Sequence, residues 1–406
     1  MNSRDAGRLP GASGSDGISA TSFAARLDPN IAMICERIRD GHFGFSALRP
    51  VPIPKPNSDK LRIVCIPTVG DRLVQRVIAA HLTKNNVLKT RNSVSFAFEQ
   101  EKGVSAALRR CLALRNEHKY VFETDILGFF DNVDRRRLIE KLSLKVKNSG
   151  IFDLLGSVVR SELQIKTPHN AVISKAGLKR GQGIRQGMPL SPLLSNFVLA
   201  DFDRRVEKAQ IPVVRYADDI VAFANRKSDI IFISKFIREI LHENGFEIPQ
   251  LSEDGKTKIC GYQAPFSFLG REFYFHSGES GYRQRISMRQ IEKIKERIKE
   301  EFDLRKALER GTDFPSFATA LSRTINSYLY AYKGIANEQF FDDQMREITR
   351  SSIQRVYIEM FGKEAVDKLS EKRRAFLGIR AQIGTSRDMV RLSKEAVMPI
   401  ERLFDA

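Results

Sequence analysis

Tyr216-Ala217-Asp218-Asp219 places two adjacent carboxylates on a short polar turn. Ile211, Val213 and Val214 precede it, and Ile220, Val221, Ala222 and Phe223 follow. Two apolar runs around so short a turn predict a β-hairpin. Two acids at the tip of an apolar hairpin are costly unless cations neutralise them. Asp oxygens suit Mg²⁺, which is held by one or two carboxylates plus substrate phosphates. The chemistry this predicts is phosphoryl or nucleotidyl transfer. An ordinary Asp-rich turn would carry the same two residues, so the reading needs further groups. Asp125 supplies one, at the end of a predicted strand through Tyr120, Val121 and Phe122. Three acids could hold two metals roughly 3.5–4 Å apart, one activating the attacking hydroxyl and one steadying the leaving oxygen. Arg185 to Asn196 completes the set: Gly187, Pro189 and Pro192 break it into a turn, and Leu193 to Asp203 then reads as a helix.

The elements that must carry these residues follow from periodicity. Phe23 to Asp40 reads as a helix with Ile31, Ile34, Cys35 and Ile38 on one face. Four prolines make Arg49 to Pro56 extended. Helices are predicted over Asp71–Leu82, Gly103–Leu114, Arg135–Lys145 and Phe152–Leu163, with Ile165 to Arg180 a turn-rich stretch that could form a hairpin. Another helix runs from Ser228 to Asn244 and stops at Gly245, a residue suited to that position. Gln290 to Arg310 reads as one helix with Ile291, Ile294, Ile298, Phe302 and Leu308 near one face and lysines elsewhere. Strands and helices alternating around the acids predict an α+β class with an antiparallel catalytic sheet.

Taken in order, these segments resemble the reverse transcriptases of the bacterial lineage that includes group II intron enzymes. Leu61 to Gln75 and Ser93 to Leu108 are similar to its fingers motifs. Asp125 with Phe129 and Phe130 resembles the first palm motif, Gln186 to Asn196 the helix motif, and Tyr216 to Asp219 the catalytic hairpin. Lys256-Thr257-Lys258 and Phe268-Leu269-Gly270 resemble the last two palm motifs. The resemblance spans roughly Ala47 to Phe275, and implies a right-hand polymerase of fingers and palm followed by an α-helical thumb and a helical C-terminal region. The implied division is a disordered segment over 1–22, fingers with an N-terminal helix over 23–120, and a palm over 121–280 with a finger-like insertion near 140–185. A helical thumb over 281–340 and a basic helical extension over 341–406 complete it.

The same resemblance implies roles. Asp125, Asp218 and Asp219 are the catalytic acids and, with the carbonyl of Ile126, hold two Mg²⁺ ions, for which Mn²⁺ can substitute. Phe130 falls at an aromatic steric gate, where a ring under the ribose would reject a 2′-hydroxyl and so select dNTPs. If the backbone there is extended, Phe129 points to the opposite face and serves the core. Gln186, Gly187 and Tyr216 surround the incoming nucleotide, Lys60 and Arg62 meet its triphosphate, and Lys256 supports the palm beside it. Phe268, Leu269 and Gly270 form the primer grip. Lys293 and Arg297 of the thumb contact the template–primer backbone.

Composition is consistent with this. The chain has 406 residues and a net charge of +18, which favours a polyanionic partner. No stretch of about 18 apolar residues or signal-peptide core is seen, so a membrane role is not expected and a cytoplasmic location is. Four scattered cysteines and six histidines show no metal-ligand spacing. The expected partners are an RNA template, a DNA primer or product, dNTPs and, in a compact stand-alone relative serving anti-phage defence, a structured non-coding RNA. That setting is suggested by the absence of recognisable endonuclease, RNase H and retron signatures. Homo-oligomerisation is left open. Two alternatives stand beside RNA-templated DNA synthesis: template-independent or protein-primed synthesis, and a maturase-like, RNA-binding splicing role with an unused polymerase site. RNA-templated RNA synthesis shares the palm logic, but Phe130 speaks against it.

Overall fold

The computed structural model describes residues 12–54, 61–99, 102–164, 173, 178–253, 255–279 and 281–377. Lys60, most of the stretch from Ile165 to Arg180 and the residues after 377 lie outside this range. Within it the chain divides into two units, one holding residues up to Leu269 together with Phe275–Tyr282, the other Gly270–Tyr274 together with the residues from Arg283 onward.

The first unit opens with α1 (Ala20–Ala24) and α2 (Leu27–Arg39), then the antiparallel pair β1 (Arg49–Pro54) and β2 (Leu61–Ile66). The single helix expected over Phe23–Asp40 is therefore broken at Ala25–Arg26, where Arg26 takes a non-helical φ of −129°. Part of the segment expected to be disordered is tied down. The Arg49 Nε donates to the Ser13 carbonyl at 2.7 Å, and the Ser19 hydroxyl caps α1 by accepting from the Ser22 amide. Next come α3 (Val69–Lys84), capped by Thr68, and α4 (Val104–Glu117).

The central sheet has four strands in the order β4-β5-β3-β6, where β3 is Tyr120–Asp125, β4 Val213–Tyr216, β5 Asp219–Ala224 and β6 Lys258–Cys260. β3 lies inside it, paired antiparallel with β5 on one side and β6 on the other. That explains its sequence: Val121, Phe122, Glu123 and Thr124 are all buried, and the one charge among them, Glu123, is neutralised by Lys258 at 2.9 Å. Between β3 and β4 run a helical turn α5 (Phe129–Asn132), then α6 (Arg135–Lys145), α7 (Ser149–Val159) and α8 (Ser191–Lys208). Pro192 starts α8, a position where its missing N–H is no loss. After β5, α9 (Lys227–Glu243) packs on β3 and β5 and ends at Gly245, whose φ is +83°. Phe122, Phe129, Leu194, Phe202, Ile220, Ala222, Ile237 and Ile240 belong to one continuous core beneath the sheet's acid-bearing end.

A three-stranded sheet follows, in the order β7 (Phe266–Phe268), β8 (Arg271–His276) and β9 (Gly281–Arg285). The second unit then builds its core between helices α10 (Met288–Glu301), α11 (Leu304–Glu309), α12 (Phe314–Ala331) and α13 (Glu338–Phe361). The apolar stripe Ile291, Ile294 and Ile298 of α10 is buried there. The one helix expected over Gln290–Arg310 is two: Phe302 leaves helical geometry and the Asp303 carboxylate caps α11. The break turns α11 so that Ala307 is buried and Leu308, expected on the core face, is 66% exposed. Short helices α14 (Lys363–Asp367) and α15 (Glu371–Phe376) end the described chain.

Candidate active site

Strand register brings the three acids together. Asp125, the last residue of β3, is the direct cross-strand partner of Asp219, the first residue of β5. Residues so paired in an antiparallel ladder have Cα atoms about 4.5–5.5 Å apart. Asp218 occupies the two-residue turn before Asp219, because Tyr216 pairs with Asp219. Its carbonyl accepts from the Ile126 amide at 3.2 Å, fastening the turn to the end of β3. Ala217, the other turn residue, has φ +56°, a strained value for a residue with a side chain.

The electrostatics are those of a site short of positive charge. Burial raises Asp218 above the usual carboxylate range; its own amide opposes this, Asp125 adds to it, and the Arg62 and Lys256 charges pull it back. Asp219 is pushed up to about 6, by burial first and then by Asp218 and Asp125, with Lys256 opposing. The Asp219 residue as a whole is nonetheless exposed. Asp125 accepts from the Lys256 ammonium at 2.5 Å through Oδ2, while its Oδ1 is buried with no hydrogen-bond partner. A buried carboxylate oxygen left without a donor beside two more carboxylates fits a hard cation. Among the described residues no three acids, histidines or cysteines form a ready-made metal cage. Lys256 is fixed by its neighbours: the Thr257 hydroxyl is 2.7 Å from that of Thr124, and Lys258 belongs to β6.

A buried ionic network beneath the turn was not anticipated from sequence. Arg215 and Asp203 are both fully buried and joined by two hydrogen bonds, Nε to Oδ1 at 2.7 Å and Nη2 to Oδ2 at 2.5 Å. The remaining guanidinium nitrogen, Nη1, donates to the Ala217 carbonyl at 2.9 Å and approaches Asn196 Oδ1 at 3.3 Å. Asn196 in turn donates to the Ala97 carbonyl at 2.8 Å, and the Arg215 backbone bonds to Val94 and Phe96. One guanidinium thus ties α8 to the peptide preceding Asp218, while its backbone holds residues 94–96. The available signal was a charged residue in each of two otherwise apolar runs, Arg215 after Val213-Val214 and Asp203 between Phe202 and Val206.

The Gly-rich loop before α8 is held against β2 and α5. The Cys65 amide donates to the Gln186 carbonyl at 2.7 Å. Gly187 has φ +101°, and a Cβ there would sit 2.6 Å from the Cys65 carbonyl oxygen, so only glycine fits. Gly183, which the sequence reading passed over, is equally constrained, with a Cβ 2.7 Å from the Phe130 carbonyl. Arg62 is exposed on β2, and its charge is felt at Asp218.

Phe130 needs a correction of geometry. The residues after Gly128, which has φ +55°, form the helical turn α5 rather than an extended strand, so the two rings do not take opposite faces of a pleat. Phe129 does enter the core, 2% exposed and 5.1 Å from the Phe246 ring. Phe130 is half-buried, with its ring centroid 5.3 Å from that of Phe129. Tyr216 is half-buried beside the turn.

Elsewhere, Phe268 ends β7 and is buried, while Leu269 (φ +50°) and Gly270 (φ +79°) make the turn into β8. Lys293 and Arg297 lie on α10, half-buried and exposed respectively, in the second unit.

Residues 53–273 match the model of the reverse transcriptase (RNA-dependent DNA polymerase) family, more than half of the chain. The chain belongs to this family. The reverse transcriptase is 28% identical over 301 residues to protein YkfC of Escherichia coli K12, covering 63% of this chain and 74% of that one. It is also 28% identical over 179 residues to the group II intron-encoded protein LtrA of Lactococcus lactis, covering 44% of this chain but only 28% of LtrA. These similarities put it with the group II intron-like enzymes of bacteria. Among solved structures, telomerase from Candida tropicalis in complex with a fragment of telomeric RNA has a TM-score of 0.44 at 13% identity, covering 94% of this chain and 69% of that one. That distant likeness adds nothing to the family assignment. Among the described residues no helix is long and apolar enough to cross a membrane.

Proposed function

We propose that this reverse transcriptase builds DNA from dNTPs on an RNA template, with Asp125, Asp218 and Asp219 as its catalytic acids. The observation that carries the reading is the cross-strand pairing of Asp125 with Asp219, together with the partnerless buried oxygen of Asp125. Two Mg²⁺ ions, with Mn²⁺ able to replace them, would be held by the three carboxylates and the Ile126 carbonyl. When bound they supply charge neutralisation at the attacking and leaving oxygens. The chain's own part is positioning and charge placement. Arg62, and Lys60 outside the described residues, would meet the triphosphate. Lys256 orients Asp125, and Gln186, Gly187 and Tyr216 would shape the nucleotide floor. Phe130 would stack under the sugar and exclude the 2′-hydroxyl. Phe268, Leu269 and Gly270 would align the primer 3′ end, and Lys293 and Arg297 would follow the duplex.

In this reading residues 23–120 are fingers, 121–280 palm, 281–340 thumb and 341–406 a basic extension, working in the cytoplasm. Anti-phage defence with a dedicated non-coding RNA is supported only by the resemblance to compact relatives. Sequencing the nucleic acid that co-purifies from cells tests it, and diverse intron RNA with intron insertion products would rule it out.

Primer extension tests the activity. The purified protein should incorporate dNTPs only with an RNA template and a divalent cation. Replacing both Asp218 and Asp219 by Ala should abolish incorporation and weaken Mg²⁺ binding measured by calorimetry. Retained incorporation would remove these acids from the mechanism, and product made without template would favour untemplated synthesis. Phe130→Val should raise rNTP use at least tenfold; unchanged selectivity would remove it as the gate.

A further inference from the structure

A cleft of about 600 Å³ lies on the first unit, lined by α6, by α8 and by the loop after α3. None of the site residues named above lines it. α8 serves both places with different faces. Asn196 and Asp203, seven residues apart, reach the catalytic hairpin, whereas Phe197, Asp201 and Arg204 face the cleft. α6 contributes Arg137, Lys141 and Lys145 at helical spacing, and Arg91 comes from the loop.

Six basic side chains line the cleft against two acidic ones. Both acids are already engaged: Asp201 pairs with Arg204, and Glu207 accepts from the Ser93 hydroxyl and amide. The side chains of Lys141 and Lys145 make no hydrogen bond or salt bridge among the described residues. Lys141 is half-buried, and its pKa is lowered by burial and then by Arg137, with Asp201 opposing and Arg204 adding. Asp201 offsets only Arg204 and Glu207 is held by Ser93, which leaves five basic side chains crowded in the cleft with no salt-bridge partner among the described residues, and an anion would relieve them.

The spacing says which anion. From Arg137 to Lys145 the helix rises about 12 Å at 1.5 Å per residue. That is longer than a single phosphate needs, and a row of cations over that length matches an anion with its charges strung along a chain, such as a phosphodiester backbone. Leu144 is 71% exposed between these cations, offering an apolar surface to a base or sugar. We propose that this cleft is a second nucleic-acid-binding surface, taking the phosphodiester backbone of an RNA strand on a face separate from the polymerase site.

The full-length protein tests this through binding of a labelled single-stranded RNA of about 30 nucleotides, titrated at several salt concentrations. Lys141→Glu with Lys145→Glu should weaken binding at least tenfold and make the log–log salt slope shallower by about one to two. Turnover on a minimal primer–template should be unchanged. An unaltered affinity and slope overturns the proposal. An equal fall in turnover also overturns it, since the cations would then serve the active site. DNA of the same sequence distinguishes the strand: equal loss for both assigns backbone contact without RNA selectivity. Displacement of RNA by polyglutamate at matched charge would instead favour an acidic protein and defeat the assignment. Should the double variant fail to fold, 4-thiouridine RNA cross-linked to the unaltered protein decides, with cross-links expected in peptides spanning 137–145 and 197–204. Their absence overturns the proposal. Because binding is read without catalysis, the cleft and the polymerase reading can fail independently.

Discussion

Charge is used differently in the two units. In the first, the Arg215–Asp203 pair is fully buried, and Arg135 and Arg185 converge on Glu162 at 2.6 and 2.8 Å beneath the loop that leads to α8. In the second, pairs such as Arg305–Glu309 and Lys368–Glu364 stand in solvent on helix surfaces. Buried pairs return little net stability over an apolar replacement, yet breaking one is costly because a charge is left unpaired. Surface pairs are worth about 0–1 kcal/mol and are screened by salt. The difference teaches where geometry is enforced. The first unit spends desolvation on holding a strained turn in one place, whereas the second is held by the apolar contacts of Ile291, Ile294, Ile298 and their partners.

This contrast can be broken at several points. Arg215→Ala should cost about 3–5 kcal/mol of stability by leaving Asp203 uncompensated, measured by denaturant unfolding. Arg215→Lys keeps the charge but not the fork that reaches both Asp203 and Ala217. It should lower kcat far more than it raises KM, and an unchanged kcat would show that the Ala217 contact does not position the acids. Gly187→Ala should cost about 1–3 kcal/mol in backbone strain and contact with the Cys65 carbonyl, with dNTP incorporation falling alongside.

Glu162 gives a pH signature. Burial alone would raise its pKa, but the Gly181 amide, Arg185 and Arg135 together hold it below the usual glutamate range. A depressed acid stabilises the fold above its unfolded pKa of about 4.3, and that stabilisation is lost as pH falls through the folded value. Glu162→Gln should therefore flatten the acid limb of the stability curve; an unchanged limb would show that other carboxylates set it. At the small end, Lys368→Ala should change stability by less than about 0.5 kcal/mol, and a larger loss would mean that the second unit also relies on its ion pairs.

Most of the acid site was readable from residue order because local rules governed it. A run of β-branched residues around a two-residue turn makes a hairpin wherever it falls, and an acid at each of the facing strand ends marks a candidate cation site. The limits of α6 over Arg135–Lys145 were likewise plain, since Asp134 caps it and its apolar residues keep helical spacing. The break at Arg26 was signalled by Pro29, which cannot bond to the Ala25 carbonyl and so belongs in a first turn, and was overlooked; the break at Phe302 was not legible, because neither Gly nor Pro announces it. The condition of an extended backbone at Phe130 was not met because Gly128, in a left-handed conformation, turns the chain into a helical turn; the Ile184 amide then bonds the Phe130 carbonyl, and the Gly183 amide that of Val133 just beyond the turn.

Residue order alone supplied the groups proposed to carry the chemistry, Asp125, Asp218 and Asp219, and the glycines that let a loop approach β2. Tertiary structure alone decided that Asp125 stands opposite Asp219, that its Oδ1 is left without a partner while Lys256 takes Oδ2, and that Arg215 clasps Asp203 and the Ala217 carbonyl together. The physical reason is range. Turn and helix preferences act over a few neighbouring residues, whereas strand register and the pairing of buried charges join separate elements of the chain, and exist only once the core that excludes water has closed around them.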